Sequence, residues 1–369
     1  MMIPKKVTCV VGARPNFMKV APVYRALAER GLDVRLVHTG QHYDEKMSQV
    51  FFDDLDMPRP DAFLGVGSGS HAVQTAKVMT LFDADCDGFE PDLVLVAGDV
   101  NSTVACAMVA AKRGKAVGHI EAGLRSRDWA MPEEINRILT DTCSDLLLTP
   151  SPDGDENLLA EGVPAWRVYR VGNLMIDTLR RNLERAQALP TLTDLGLIAG
   201  EYAVITLHRP SNVDGEAQLS ALLEALGQCA KKLPCVFPMH PRTRARVEQY
   251  GLSIPDGLRI LEPLGYLQFL GVMASAKLML TDSGGIQEET TALGVPCLTL
   301  RDNTERPITI DEGTNILLGS DANAIVPAVD DILATGGKQG RVPALWDGRA
   351  ADRVADVVTG GFRTLLEGE

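Results

Sequence analysis

The sequence has no excess of positive charge, no Cys-x-x-Cys pair and no long apolar run, and each absence removes a class of function. Lysine and arginine number 36 against 49 aspartates and glutamates, a net charge of −13. Nucleic-acid surfaces work by neutralising phosphates with basic side chains, so no nucleic-acid partner is expected. A small anionic ligand stays open wherever cations converge locally. The seven cysteines, Cys9, Cys86, Cys106, Cys143, Cys229, Cys235 and Cys297, are odd in number, scattered and mostly in apolar company. They read as reduced thiols of a cytoplasmic chain, with no zinc or other metal site. No uninterrupted apolar stretch approaches the ~20 residues that cross a bilayer, so membrane insertion is not expected. The opening Met1 to Lys6 leads into the short apolar run Val7–Val11 and then Gly12, which reads as a first strand rather than a signal peptide. There are no repeats of solenoid period and no low-complexity runs.

A chain of 369 residues exceeds one ordinary core and suffices for two. Its first half alternates apolar strands (Val7–Val11, Val34–Val37, Leu93–Val96, Ala116–Ile120) with helical patterns such as Lys19–Arg30. Parallel strands need crossovers, so this alternation predicts an α/β fold with a doubly wound parallel sheet. Val168–Val171 reads as its last strand, with Gly172-Asn173 as hinge and a helix over Met175–Ala188. A second alternation follows: Tyr202–Leu207, a helix over Ala217–Lys232, Val236–Met239, Leu258–Leu261, Leu278–Thr281 and Cys297–Leu300. A terminal helix within Gly348–Glu369 is expected to cross back, giving a first domain of 1–172 plus 350–369 and a second of 173–349.

The most informative stretch is Leu278–Leu300. An apolar strand to Thr281 runs into a tight turn at Ser283-Gly284-Gly285, then a helix over Ile286–Leu293 closed by Gly294. Glycines at a helix start let a ligand approach the backbone, where unpaired N–H groups and the positive dipole end attract phosphate. A carboxylate one turn in, Glu288 or Glu289, would repel phosphate but can accept hydrogen bonds from ribose hydroxyls.

Ligands of such sheets bind at the carboxyl ends of the strands, which is where the unusual residues stand. Arg14 and Lys19 lie at and inside the first helix start, placed to complement an anion or simply solvated. His38 and His42 flank a glycine turn without a third metal ligand at a recognisable spacing, and read as loop histidines. Gly65 to His71 reads as a mobile loop and lid candidate. Asp99 and Glu121 end neighbouring strands, while Glu133 and Glu134 open a helix behind Pro132. In the second half His208 shares a loop with Arg209 and Asn212, and Arg306 is placed to meet phosphate or to pair with Glu305 and Asp302.

Taken together, several blocks make the chain resemble, from about Val7 to Gly319, the non-hydrolysing UDP-N-acetylglucosamine 2-epimerases. They are Gly12-Ala13-Arg14-Pro15 with Lys19, Gly98-Asp99, His119 to Arg125, Pro132 to Arg137, Gly172-Asn173, His208-Arg209, Thr281 to Glu289, Thr304 to Pro307 and Gly313 to Asn315. The resemblance implies two Rossmann-like domains facing across a cleft, the GT-B arrangement, commonly as a homodimer, with no cofactor. It places UDP on Ser283, Gly284, Gly285, Glu289 and the Phe269 region, with Arg14, Lys19 and Arg306 as further substrate contacts. Asp99, Glu121, Glu133 and His208 fall on the family's catalytic positions.

The chemistry so implied inverts C2 of the sugar by expelling UDP from C1 as the C2 proton leaves, through 2-acetamidoglucal. It asks for stabilisation of a departing diphosphate and for acid–base groups around C2, with crowded carboxylates raising one another's pKa. Departures from the commoner pattern include Asn16-Phe17-Met18, Tyr43-Asp44 and, after His208-Arg209, Pro210-Ser211 in place of Arg-Glu. Pro210 stands where many bacterial members carry an arginine of a second, allosteric substrate site, so weak or absent allosteric activation is expected. The same departures resemble relatives acting on UDP-2,3-diacetamido-2,3-dideoxyglucuronate. A GT-B glycosyltransferase would share the diphosphate loop but not need the three carboxylates.

Overall fold

The computed structural model describes residues 1–40 and 54–365. Among these the chain forms two compact units, Met1–Arg181 with Ala344–Glu369, and Asn182–Pro343. The first unit therefore runs past Gly172-Asn173 and into the helix Leu174–Ala188 before the chain leaves it.

In the first unit the described strands are β1 (Lys6–Val11), β2 (Asp33–His38), β3 (Ala62–Phe63), β4 (Leu93–Ala97), β5 (Ala116–Ile120), β6 (Leu146–Thr149) and β7 (Val168–Arg170), all parallel, in the order β3-β2-β1-β4-β5-β6-β7. Strands β4, β5 and β6 are buried throughout, which is why they read as continuous apolar runs rather than alternating ones. The strand order reverses between β1 and β4, so their carboxyl ends splay apart and leave a crevice. Gly12-Ala13 and Gly98-Asp99 stand there.

The second unit repeats the plan with β8 (Ala203–Thr206), β9 (Cys235–Pro238), β10 (Leu258–Leu261), β11 (Leu278–Thr281), β12 (Cys297–Thr299) and β13 (Asn315–Leu317), in the order β10-β9-β8-β11-β12-β13. Its switch point lies between β8 and β11, where the chain continues into His208 and Asp282. Ile205, Leu280 and Leu298 pack with Leu222, Leu226, Val329 and Ile332 of the covering helices, so this sheet has its own core.

The last helix, Ala350–Gly360, falls in the first unit. Asp177 accepts the N–H groups of Ala350 (3.1 Å) and Ala351 (2.7 Å), and the buried Trp346 indole donates to the Pro150 carbonyl at 3.0 Å. Asp177 thus serves as an N-cap supplied from another helix, satisfying amides the turn itself leaves open.

Several local expectations change. The first helix begins at Arg14, with Pro15 in its first turn, rather than at Lys19. Gly284 and Gly285 are the first helical residues of Gly284–Leu293 and not a turn before it; Ser283 is the N-cap. Gly65 to His71 is tied down: Leu64, Val66 and Gly67 donate to the carbonyls of His38, Thr39 and Gly40, and Ser70 caps the helix His71–Phe89. Strands β6 and β13 are not marked by the alternation because four and three residues carry too little of a period.

Candidate active site

In the first unit, the crevice at β1 and β4 is lined by paired charges. Asn16 is aimed by three backbone bonds, accepting from Gly12 (3.1 Å) and Ala13 (2.9 Å) and donating to the Ala97 carbonyl (2.8 Å). One turn along the same helix, the buried Lys19 ammonium forms an ion pair with Glu121. Gly98 has φ +67°, and a Cβ there would stand 3.4 Å from Lys19 Nζ and 3.6 Å from Glu121 Oε2. Glycine is thus favoured by the backbone conformation, while a side chain there would sit in contact with the ion pair.

Glu121 itself has φ +71°, in the left-handed region that non-glycine residues rarely occupy. It is held there by β6, whose Leu148 carbonyl accepts from Glu121 N (3.0 Å) and Ala122 N (3.2 Å). The carboxylate is thereby turned from the sheet toward Lys19.

Asp99 is matched by a second cation. Arg137, buried in the helix Pro132–Cys143, donates to Asp99 Oδ2 at 2.5 Å and to Glu134 Oε2 at 2.6 Å, and its neighbour Asn136 donates to the Asp99 carbonyl at 2.8 Å. Burial works to raise the Glu134 pKa, but the Ser126 and Arg127 amides and Arg137 together bring it below the ordinary value. Glu134 is a structural anchor; Glu133, half-buried beside it, has no hydrogen-bonding partner among the described residues. Two of the three expected carboxylates are therefore each neutralised by their own cation rather than left to repel one another. The role of Arg137 is not read from sequence, although its place three residues after Glu134 on one helix face is a signal for that half of the pairing.

In the second unit, Asp282 is fully buried and accepts from His208 N (2.9 Å), Arg209 N (2.9 Å), Asn212 Nδ2 (3.1 Å) and the His208 ring at Nδ1 (2.9 Å). Burial would raise its pKa, but the His208 ring and these amides more than reverse that and hold the carboxyl below its usual value. With Nδ1 held by a carboxylate, His208 presents Nε2 as its other nitrogen, and the ring is partly exposed. Asp282 lies within the motif Thr281 to Glu289, and local sequence does not disclose its bond to His208.

Ser283, the N-cap next to Asp282, makes no side-chain cap bond, so its hydroxyl is not spent on the helix it starts. A Cβ at Gly284 would fall 2.5 Å from Arg306 Nη1 and 2.9 Å from Glu305 Oε1. The Arg306 guanidinium therefore lies against the helix N-terminus; it pairs with Glu305 and, through Nε at 2.9 Å, with Glu288. Thr304 and Asn315 brace the helix from behind, through Gln287 Oε1 (2.8 Å) and the Gln287 carbonyl (3.0 Å). Glu289 is buried, and burial followed by the neighbouring Glu288 pushes its pKa up to about 8, opposed by the Tyr266 hydroxyl at 3.5 Å. Phe269 is half-buried, three residues after Tyr266 on the helix Tyr266–Ala274.

Two sequence expectations fall outside this description. Arg14 opens its helix, but its side chain, like all of His42, lies outside the described residues. His38 is buried and accepts the Gly40 amide on Nδ1 at 2.7 Å; burial lowers its pKa to about 4, so it is a neutral packing histidine. All seven thiols are free, and among the described residues no helix is long and apolar enough to cross a membrane.

Residues 25–359 match the UDP-N-acetylglucosamine 2-epimerase family. The chain belongs to that family. It is an isomerase, an epimerase whose two parallel-sheet units have the GT-B class of fold of its relatives. A UDP-N-acetylglucosamine 2-epimerase of Methanocaldococcus jannaschii is 38% identical over 96% of this chain and 99% of its own length. A solved structure of the epimerase from that organism, in complex with UDP-GlcNAc and UDP, matches with a TM-score of 0.90 at 38% identity, over 96% of this chain and 100% of its own. A UDP-2,3-diacetamido-2,3-dideoxy-D-glucuronate 2-epimerase of Pseudomonas aeruginosa is 39% identical over 87% of this chain and 90% of its own length.

Proposed function

We propose that this epimerase interconverts UDP-N-acetylglucosamine and UDP-N-acetylmannosamine. The observation that carries the reading is the pair of cation-matched carboxylates, Glu121 with Lys19 and Asp99 with Arg137, at adjoining strand ends of a chain that belongs to this family.

In this reading the second unit holds UDP, with the helix at Ser283, Gly284 and Gly285 and the Arg306 and Arg14 guanidiniums meeting the diphosphate. Glu289 accepts from the ribose, and Phe269 lies at the uracil. The first unit supplies acid and base. One of Asp99, Glu121 and Glu133 takes the C2 proton; the C1–O bond breaks, its electron pair leaving with the diphosphate, and C1 and C2 become doubly bonded. UDP then adds back to C1 while another acid returns a proton to C2 from the opposite face. Lys19 holds Glu121 in place through their ion pair, and His208, aimed by Asp282, stabilises or protonates the departing diphosphate. No step asks for a metal or a bound cofactor.

Incubation with UDP-N-acetylglucosamine in deuterated water tests this. Both UDP-sugars should appear with solvent deuterium at C2; UDP and free sugar alone, or binding without exchange, would refute it. The Pseudomonas relative supports a second reading, with a 3-acetamido, 6-carboxylate sugar as substrate and the same chemistry at C2. Parallel assays with both UDP-sugars separate the two by kcat/KM.

The protein is further proposed to be a cytoplasmic homodimer. Ile135 and Leu139, one turn apart on the helix Pro132–Cys143, are 41% and 44% exposed, and Trp129 before it is 68% exposed. Such apolar exposure suits a self-complementary contact. Sedimentation should give a dimer, and Ile135→Asp with Leu139→Asp a monomer.

A further inference from the structure

His119 is the one polar side chain inside β5, fully buried, two residues before Glu121. Its Nδ1 lies 2.6 Å from Asp141 Oδ1 and its Nε2 lies 2.9 Å from the Gly98 carbonyl oxygen. A carbonyl can only accept. Asp141 also accepts from Arg125 (2.8 Å) and Gly123 N (3.2 Å) on its other oxygen, and a carboxylate paired with a guanidinium is an acceptor too. A neutral imidazole would turn a lone pair toward one of these oxygens. We infer that His119 carries hydrogen on both ring nitrogens, and that this buried imidazolium is the positioning residue that sets Asp99, Glu121 and Glu133 relative to one another for the proton transfers at C2.

Topology gives His119 its position. Gly98 follows β4 and leads into Asp99; His119 lies in β5 and leads into Glu121; Asp141 lies on the helix Pro132–Cys143, which carries Glu133 and Arg137. One ring therefore bonds all three elements that bear the proposed acids. The β4 and β5 ends are tied twice, because Gly98 N donates to the Ile120 carbonyl at 3.1 Å while His119 donates to the Gly98 carbonyl. The Gly98–Asp99 peptide is trans, so pointing its oxygen at His119 points the Asp99 N–H the opposite way, fixing the plane from which the Asp99 side chain departs. Arg125 pairs with Asp141 at 2.8 Å and with the exposed Glu161 at 2.7 Å, so it holds the far side of the same carboxylate that meets His119.

This inference rests on the epimerase reading for its kinetic consequence and is independent of it for the protonation. Long-range proton–nitrogen correlation spectra of the histidine-labelled wild type near neutral pH should show both His119 nitrogens protonated. In Asp141→Asn, one of them should become unprotonated. His119→Gln keeps one donor and loses the charge. Its kcat and its rate of deuterium entry at C2 should fall together by about tenfold to a hundredfold, the cost of misplaced reacting groups, with KM and UDP affinity changed less than about threefold. An unprotonated His119 nitrogen in the wild type, or wild-type kcat in H119Q, would overturn the inference. Should H119Q not fold, the wild-type spectrum and D141N decide it. A wild type with no C2 exchange on any UDP-sugar removes the proposed function and leaves the spectroscopic result standing.

Discussion

At the scale of single residues, Glu289 and Gly284 carry the clearest consequences. Glu289 has its pKa raised to about 8, so the free protein holds its proton below that pH. Ribose hydroxyls donate to the ionised form, so UDP binding expels the proton, and UDP affinity should rise as pH increases from about 6 to about 8.5. Calorimetry in buffers of different ionisation enthalpy should register proton release, and Glu289→Gln should abolish it and weaken binding by about 1.5–3 kcal/mol above pH 8. Gly284→Ala sets a methyl group 2.5 Å from Arg306 Nη1 and 2.9 Å from Glu305 Oε1. The buried ion pairs cannot yield freely, so a loss of about 1–3 kcal/mol in urea unfolding is expected, together with weakened UDP binding. Asp99→Asn and Glu121→Gln should lower kcat by about 10²–10⁴-fold while UDP still binds, which single-turnover and binding assays resolve.

Among elements, the C-terminal helix depends on a cap from elsewhere. Asp177 meets the Ala350 and Ala351 amides, yet burial outweighs those bonds and its pKa is raised to about 6. A raised carboxyl pKa means that the folded state holds the proton more tightly than the unfolded chain. The Asp177 contribution is therefore greatest at acid pH and is lost as pH rises through about 4 to 6. Asp177→Asn should flatten this part of the stability profile in urea titrations at pH 4.5 and 7, both taken as approximate settings. Asp177→Ala should cost about 1 kcal/mol at the acid setting through loss of the cap, and less at the neutral one. The short element Pro210–Val213 makes a parallel point: Pro210 occupies its first turn, where no amide is needed, and brings no charge.

For the whole molecule, that substitution predicts hyperbolic kinetics. Initial rates against UDP-N-acetylglucosamine should fit without a sigmoidal lag, and trace substrate should not stimulate the reverse reaction; a Hill coefficient clearly above one would contradict the assignment of Pro210. Two units, each with a sheet that reverses at its own switch point, were legible in the alternation of apolar strands and helices, because burial on both faces leaves a continuous apolar signature. The strand-end positions of Asp99, Glu121, His208 and Ser283 followed from the same periodicity. Short strands β3, β6 and β13 were not, since two to four residues carry no period of their own. What sequence by itself determined is therefore the class of fold, the family and which residues stand at strand ends, all of which depend on local pattern or matched motifs. Only the tertiary structure decided the partners: Arg137 for Asp99, Lys19 for Glu121, Asp282 for His208 and Asp141 for His119, separated by 38, 102, 74 and 22 residues. The physical reason is that charge pairing and desolvation act through space, so a side chain's protonation and direction are set by neighbours that no local pattern identifies.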